Sequence, residues 1–230
     1  VMLAVEDAKK LLDSSCTFKL TGNPVRGDIL TESYEGARKK LGLDKRPVVL
    51  SFGGSLGARK INEPVADLIA ETARTDCYQH IHAYGQYGKW FPELLREKGV
   101  TLHNHKNLDI REYINDMPTC LAAADLVISR AGAITLSELQ AQGKAAVLIP
   151  SPNVAENHQY HNAMAMVRRK AAYIIEEKDL NGGKLIKTVR EILSKPEELK
   201  KVQHNAHDMA IIDARERIYS VIKEVLRKKA

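Results

Sequence analysis

Two patterns of apolar residues take turns along the chain. Short apolar runs, bounded by turn formers, read as strands: Pro47–Phe52, Gln79–Tyr84, Val100–His103, Leu126–Ile128, Ala145–Ile149 and Tyr173–Ile175. Between them lie stretches with apolar residues on one helical face, the clearest carrying Ile61, Val65, Leu68 and Ile69. Helical segments are also expected over Phe91–Lys98, in a short piece ending at Asp125, from about Thr135 to Gly143, and in a piece ending near Lys170. Three more follow, Gly183–Leu193, Pro196–Met209 and Asp213–Arg227. The last places Ala214, Ile218, Val221, Ile222, Val225 and Leu226 on one face, with Asp213 and Glu216 spaced as a capping pair. Ahead of all these come a short helical pattern (Val5, Ala8, Leu11, Leu12), a strand over Cys16–Leu20, and a run of turn formers, Thr21–Gly27, read as a linker or hinge. Strands alternating with helices predict an α/β fold with a doubly wound parallel sheet.

The stretch from Asp125 to Pro150 organises the rest. It reads as strand, turn, helix and strand, with the turn Ser129–Ala133 at the carboxyl end of a strand, where open parallel sheets bind ligands. Thr135 and Glu138 have capping-box spacing. Two readings stand side by side. In one, Ala131, Gly132 and Ala133 serve close packing, and Glu138 is a cap. In the other, the small residues admit a ring or sugar, and Glu138 accepts hydrogen bonds from two adjacent hydroxyls.

Composition narrows the classes. Hydrophobic content of 44% and charged content of 28% suit a globular domain with ample core. No apolar run approaches the roughly 20 residues that span a bilayer. Cys16, Cys77 and Cys120 are few and scattered, which fits a reducing compartment and no disulfide framework. A net charge of +6 suits a polyanionic ligand or an acidic membrane surface. Nucleic acid is disfavoured, because aromatics are only 5% and do not interleave with the basic residues.

Chemistry-bearing motifs sit at strand ends. Gly53-Gly54-Ser55-Leu56-Gly57-Ala58-Arg59 follows the first clear strand and opens a helix, so backbone N–H groups and the helix dipole can hold an anion. It matches neither a Walker A loop nor a dinucleotide fingerprint. Arg26 is either a solvated linker charge or a phosphate contact. His80 with His82, and His103 with His105, have strand spacing, but a metal site would need a third ligand and a second shell, and neither is apparent. No Asp-x-Asp pair offers a seat for a divalent ion. Ile114 reads as core, or as packing against a base. The polar loop Ser151–Ala163, feeding a helix, would face the same cleft.

Four motifs occur in the order and at the spacing of one family: Thr-Gly-Asn-Pro-Val-Arg, Gly-Gly-Ser-Leu-Gly-Ala-Arg, Ser-Arg-Ala-Gly-Ala-Ile-Thr-Leu-Ser-Glu and Asn-His-Gln-Tyr-His-Asn-Ala. From about Leu20 onward the chain resembles the carboxyl-terminal, donor-binding half of the MurG-type N-acetylglucosaminyltransferases. That resemblance implies a Rossmann-like domain of a GT-B enzyme over residues 27–230, preceded in 1–26 by a remnant of the amino-terminal domain and the interdomain linker. The implied reaction passes N-acetylglucosamine from UDP-N-acetylglucosamine, with inversion, to the lipid-linked muramyl-pentapeptide precursor at the cytoplasmic face of the bacterial membrane. No cofactor and no metal are implied. Carried over by motif, the donor-binding residues are Arg26, Gly54, Ser55, Gly57, Ile114, Arg130, Ala133, Ile134, Thr135, Leu136, Ser137, Glu138, His158, Gln159 and Asn162. Among these, Arg26 and Ser55 would meet the diphosphate, Ile114 the uracil, Glu138 the ribose hydroxyls and Gln159 the N-acetylglucosamine. Leu56 departs from the polar residue that many family members carry. The family's candidate base lies in the other half, so none is assigned here. Two other readings compete: a stand-alone donor-binding subunit of a two-chain transferase, and a related lipid-sugar transferase or UDP-sugar epimerase on the same fold.

Overall fold

The computed structural model describes residues 1–6, 9, 13 and 15–227. Of the expected amino-terminal helical pattern, Ala8, Leu11 and Leu12 lie outside these residues. Strands β1 (Met2–Leu3) and β2 (Lys19–Leu20) pair in parallel as a small separate ladder. After the linker come α1 (Gly27–Thr31), α2 (Tyr34–Lys40), β3 (Val48–Phe52), α3 (Arg59–Thr75), β4 (Gln79–Ala83) and α4 (Phe91–Glu97). Then follow β5 (Leu108–Arg111), α5 (Met117–Ala123), β6 (Leu126–Ser129), α6 (Ala133–Ala141), β7 (Ala145–Leu148) and α7 (His158–Arg168). The chain closes with β8 (Tyr173–Ile174), α8 (Gly182–Leu193), α9 (Pro196–Asp208) and α10 (Ala214–Arg227).

Strands β3 to β8 form one parallel sheet in the order β5-β4-β3-β6-β7-β8. The order reverses between β3 and β6, which opens a crevice between the loops that follow these two strands. Successive strand residues serve opposite faces, as the two-residue period demands. Val48, Leu50, Val127 and Leu148 pack with Ile29, Leu121, Leu139 and Met166 on one side. Val49, Leu126, Ile128 and Val147 pack with Ile61, Leu68, Phe91 and Val189 on the other. With both faces covered, the central strands need unbroken apolar runs.

One expected strand is displaced. Val100–His103 is not a strand, and the edge strand is Leu108–Arg111. Gly99 takes a φ of +79° to close α4, and the Val100 N–H bonds back to the Leu95 carbonyl at 2.9 Å. Val100 therefore packs as the apolar partner of a helix terminus. His103 lies in a 3₁₀ turn (Leu102–Asn104) and His105 follows it, so these two do not share a strand face. His80 and His82 do, in β4, where both are buried.

Thr21, Gly22 and Val25, in the expected linker, contact the body of the domain. Thr21 and Gly22 donate to the Leu3 carbonyl at 2.9 and 3.1 Å. A side chain on Gly22 would meet Ile211 at 2.7 Å, Val25 is buried, and its carbonyl accepts from Arg215 at 3.5 Å. Asp213 pairs with Arg217 at 2.8 Å in place of the expected capping pair with Glu216. On α10 only Ala214 of the expected apolar face is buried, and Leu226 is 63% exposed. Among the described residues, no helix is long and apolar enough to cross a membrane.

Candidate functional site

The carboxyl edge of the sheet brings the motif-bearing loops together. On the β3 side, Gly54 and Gly57 have φ of +95° and +84°, a region that side chains disfavour. A Cβ on Gly57 would come within 2.1 Å of the Tyr84 carbonyl oxygen. The loop after β3 thus lies directly on the loop after β4, and the carbonyls of Ser55 and Leu56 accept the amides of Gln86 and Tyr87 at 3.2 and 2.9 Å. Gly54 and Ser55 stay exposed on the outer side. The N-cap of α3, Ala58, has no side-chain cap. The first amides of this long helix are left for solvent or an anion.

Across the crevice, α6 starts earlier than the capping-box spacing suggests. Its N-cap is Gly132, in extended conformation and with no side-chain cap. Thr135 falls at the third helical position and Glu138 in the second turn. Glu138 is therefore a turn beyond the amides it was expected to cap, and it does not cap this helix. Ala133 and Ile134 are exposed at the helix tip, while Leu136 is buried in the core. Ser137 Oγ donates to the Ala133 carbonyl at 3.0 Å.

Glu138 faces the linker. Its side chain is 16% exposed, and its carboxylate lies 3.9 Å from Arg26 Nε, with no hydrogen bond to it among the described residues. Burial raises its pKa above the usual carboxylate range, Arg26 opposes that rise, and Asp28 adds to it. Arg26 is the N-cap residue of α1, half exposed, and lies 3.8 Å from Asp28. A half-buried carboxylate with unspent acceptors and a reachable guanidinium thus share one seam of the crevice.

The other expected residues divide between cleft and scaffold. Gln159 Oε1 accepts from the Ser151 amide at 3.0 Å, which leaves its NH₂ group unspent among the described residues. His158 Nδ1 lies 3.0 Å from the Ala155 carbonyl oxygen, and Asn162 donates to the Ala131 carbonyl at 3.2 Å. Just before α7, Glu156 and Asn157 have φ of +52° and +50°, a strained pair in the loop that carries these polar groups. A cavity of about 230 Å³ opens beside α6, bounded by Asn23, Ala133, Ser137 and Asn162 among others.

Two of the expected residues, Ile114 and Arg130, are engaged within the protein. Ile114 is buried among Ile29, Leu121 and Leu136, so its side chain serves the core. Arg130 pairs with Glu177 at 2.5 Å and donates to the Ile149 carbonyl at 3.2 Å, which ties the end of β6 to the segment after β8. Neither Glu177 nor Asn23 stood among the expected site residues. Asn23 Nδ2 lies 3.2 Å from Ser137 Oγ and 3.4 Å from the Ala133 carbonyl oxygen. Its only sequence signal was its place in the Thr-Gly-Asn-Pro-Val-Arg motif.

Charges at the opposite, amino edge of the sheet are structural. Asp125 accepts from the Val48 amide at 2.7 Å, from Arg38 at 3.1 Å and from the Tyr34 hydroxyl at 3.0 Å. Lys144 donates to the carbonyls of Ala122 and Ala124 at 2.6 and 3.0 Å, and burial pulls its pKa down to about 8. Among the described residues, no group of three or more His, Cys, Asp and Glu is placed to hold a metal ion.

The chain is similar to known proteins in sequence and in fold. Residues 48–225 match the glycosyltransferase family 28 C-terminal domain. A UDP-N-acetylglucosamine–N-acetylmuramyl-(pentapeptide) pyrophosphoryl-undecaprenol N-acetylglucosamine transferase of Acetivibrio thermocellus is 40% identical over 231 residues, covering 100% of this chain and 62% of the relative. The enzyme of the same name from a Thermoanaerobacter species is 38% identical over 98% of this chain and 61% of its own length. The chain thus spans about three-fifths of these curated relatives. The crystal structure of Acinetobacter baumannii MurG superposes with a TM-score of 0.70 at 26% identity, over 90% of this chain and 58% of that one. A UDP-GlcNAc 2-epimerase from Neisseria meningitidis shares the fold alone, with a TM-score of 0.56 at 12% identity over 83% of this chain and 48% of that one. The six-stranded parallel sheet, the crevice at its strand-order reversal and the matched residues together place this chain in glycosyltransferase family 28, as its C-terminal domain.

Proposed function

We propose that this chain is the donor-binding part of an N-acetylglucosaminyltransferase. It would carry N-acetylglucosamine from UDP-N-acetylglucosamine to the muramyl sugar of a lipid-linked pentapeptide precursor. The transfer inverts the anomeric centre and uses no metal at the donor site. Residues 1–26 are the end of a preceding domain and the linker to it, and the acceptor is held by that preceding domain. The enzyme works peripherally, at the cytoplasmic face of the bacterial membrane. The names of the sequence relatives support this reading, and both are transferases rather than epimerases.

The observation that carries it is the pairing of Arg26 and Glu138 at a crevice flanked by two uncapped helix starts. When UDP departs, negative charge grows on its diphosphate. The amides around Gly54 and at the start of α3, with the positive end of the helix dipole, would stabilise that charge. Arg26 adds a half-exposed guanidinium that can bind phosphate oxygens. Glu138 offers two acceptor oxygens to the two ribose hydroxyls, and the donated hydrogen bonds would offset the cost of burying its charge. Gln159, fixed through Ser151, can donate its NH₂ group to a sugar oxygen.

Calorimetric titration with UDP-N-acetylglucosamine, UDP-galactose and UDP-glucose, each with and without chelator, tests the reading. Tightest binding of UDP-N-acetylglucosamine, unchanged by chelator, is expected. Binding that requires added magnesium or manganese, or that ignores the sugar, would contradict it.

A further inference from the structure

The linker and α6 meet along a seam that carries both members of the Arg26–Glu138 pair. At one end of it, Asn23 Nδ2 lies 3.2 Å from Ser137 Oγ and 3.4 Å from the Ala133 carbonyl oxygen. Ser137 Oγ donates to that same carbonyl at 3.0 Å, so Asn23, Ser137 and Ala133 form a small closed network. Three residues beyond Asn23 stands Arg26, and one residue beyond Ser137 stands Glu138, 3.9 Å apart. The ion pair is long and its arginine is half exposed, so it contributes little to holding the seam. The Asn23 amide, through one part-buried and one exposed contact, ties the two backbones together.

We propose that Asn23 is a positioning residue for the donor site: it clasps the first turn of α6 to the linker and thereby sets how Arg26 and Glu138 are presented to a nucleoside diphosphate. Its neighbours leave it little freedom. Gly22 is wedged against Ile211, and Val25 is buried with its carbonyl taken by Arg215. With both flanks anchored, the Asn23 amide acts on α6 and not on the linker's own path. Loss of the amide would let the α6 tip shift, carrying Ala133 and Glu138 with it, while the linker stays on the body of the domain.

This inference rests on the donor-site reading above, and the test separates the two. The affinities of UDP and of 2′-deoxy-UDP are measured by calorimetry, alongside melting temperatures, for wild type, Asn23→Ala, Ser137→Ala and the double variant. Wild type should prefer UDP. Asn23→Ala should bind UDP about three- to tenfold more weakly and lose most of that preference, because the hydroxyl-reading carboxylate is displaced. Ser137→Ala should reproduce part of the effect and add little in the Asn23→Ala background, since the two act through one network. A residue that merely holds the fold together would lower the melting temperature and leave the UDP to 2′-deoxy-UDP ratio unchanged. That result, or additive losses in the double variant, would overturn the proposal. Should Asn23→Ala not fold, Ser137→Ala alone carries the test, because it removes one acceptor of the clasp without touching the linker. Failure of wild type to bind UDP at all would instead bring down the donor-site reading, and this inference with it.

Discussion

Acidification should weaken this fold through two histidines in the middle of its sheet. His80 and His82 are buried in β4, and Ser51 Oγ lies 2.8 Å from both His80 Nε2 and His82 Nδ1. The remaining ring nitrogens, His80 Nδ1 and His82 Nε2, have no partner among the described residues. Burial drives both pKa values down, His80 well below the usual value and His82 to about 3; the neighbouring His82 lowers His80 further, and the Ser51 backbone slightly opposes the fall at His82. In the unfolded chain each ring titrates near ~6.5. Below that pH the unfolded state binds protons that the folded state refuses, so stability is intact above it and is lost as pH falls toward the folded pKa values. At pH 5.5 each ring should cost about 1.4 kcal/mol, hence about 3 kcal/mol for the pair relative to pH 7.5. Glu138 works in the opposite sense, because burial raises its pKa and protonation there favours the fold. Urea denaturation followed by circular dichroism at pH 7.5, 6.5 and 5.5 measures the effect, and a folded His82→Asn variant should show about half of it. Equal unfolding free energies at pH 7.5 and 5.5 would refute the assignment of both rings as neutral and buried.

Two further outcomes follow from the same geometry. Gly57→Ala should both destabilise the domain and abolish donor binding, because the new Cβ would sit 2.1 Å from the Tyr84 carbonyl oxygen at a φ of +84°; a melting curve and a titration matching wild type would show that the loop can move aside. The purified chain should bind donor yet transfer no sugar to a lipid-linked muramyl acceptor, since it spans about three-fifths of its relatives; turnover near that of a full-length enzyme would contradict this.

What the sequence revealed depended on how each residue is buried. β3, β6 and β7 have covered faces on both sides, and their unbroken apolar runs are visible without a structure. β5 is an edge strand whose Leu108-Asp109-Ile110-Arg111 alternates, with every residue only partly buried, so the nearby Val100 run drew the assignment instead. Thr135 and Glu138 have the spacing of a capping box, yet the helix begins at Ala133, and spacing alone does not set where a helix starts. Arg130 sits in a small-residue turn that points to a ligand, and nothing local shows that Glu177, far along the chain, takes its charge. Asn23 precedes a proline and reads as a turn former, while its partners lie 110 and 114 residues away. The loops at the carboxyl edge were legible because glycines at strand ends signal themselves locally; the contacts between those loops were not.

Glu138→Gln decides the central claim, that this crevice reads a nucleoside diphosphate sugar through a carboxylate. Glu138 caps no helix, and its ion pair with Arg26 is long, so the substitution should leave the melting temperature within a few degrees of wild type. If the carboxylate accepts two ribose hydroxyls, each charged hydrogen bond contributes about 1.5–3 kcal/mol. Even one of them, weakened by half, is worth roughly a factor of three to ten in affinity. Glutamine keeps one acceptor oxygen, so one bond is lost and the other loses its charge, and titration of folded Glu138→Gln with UDP-N-acetylglucosamine should show binding at least about tenfold weaker than wild type. Its preference for UDP over 2′-deoxy-UDP should fall away as well. Equal affinities for wild type and Glu138→Gln, both folded, would contradict the account.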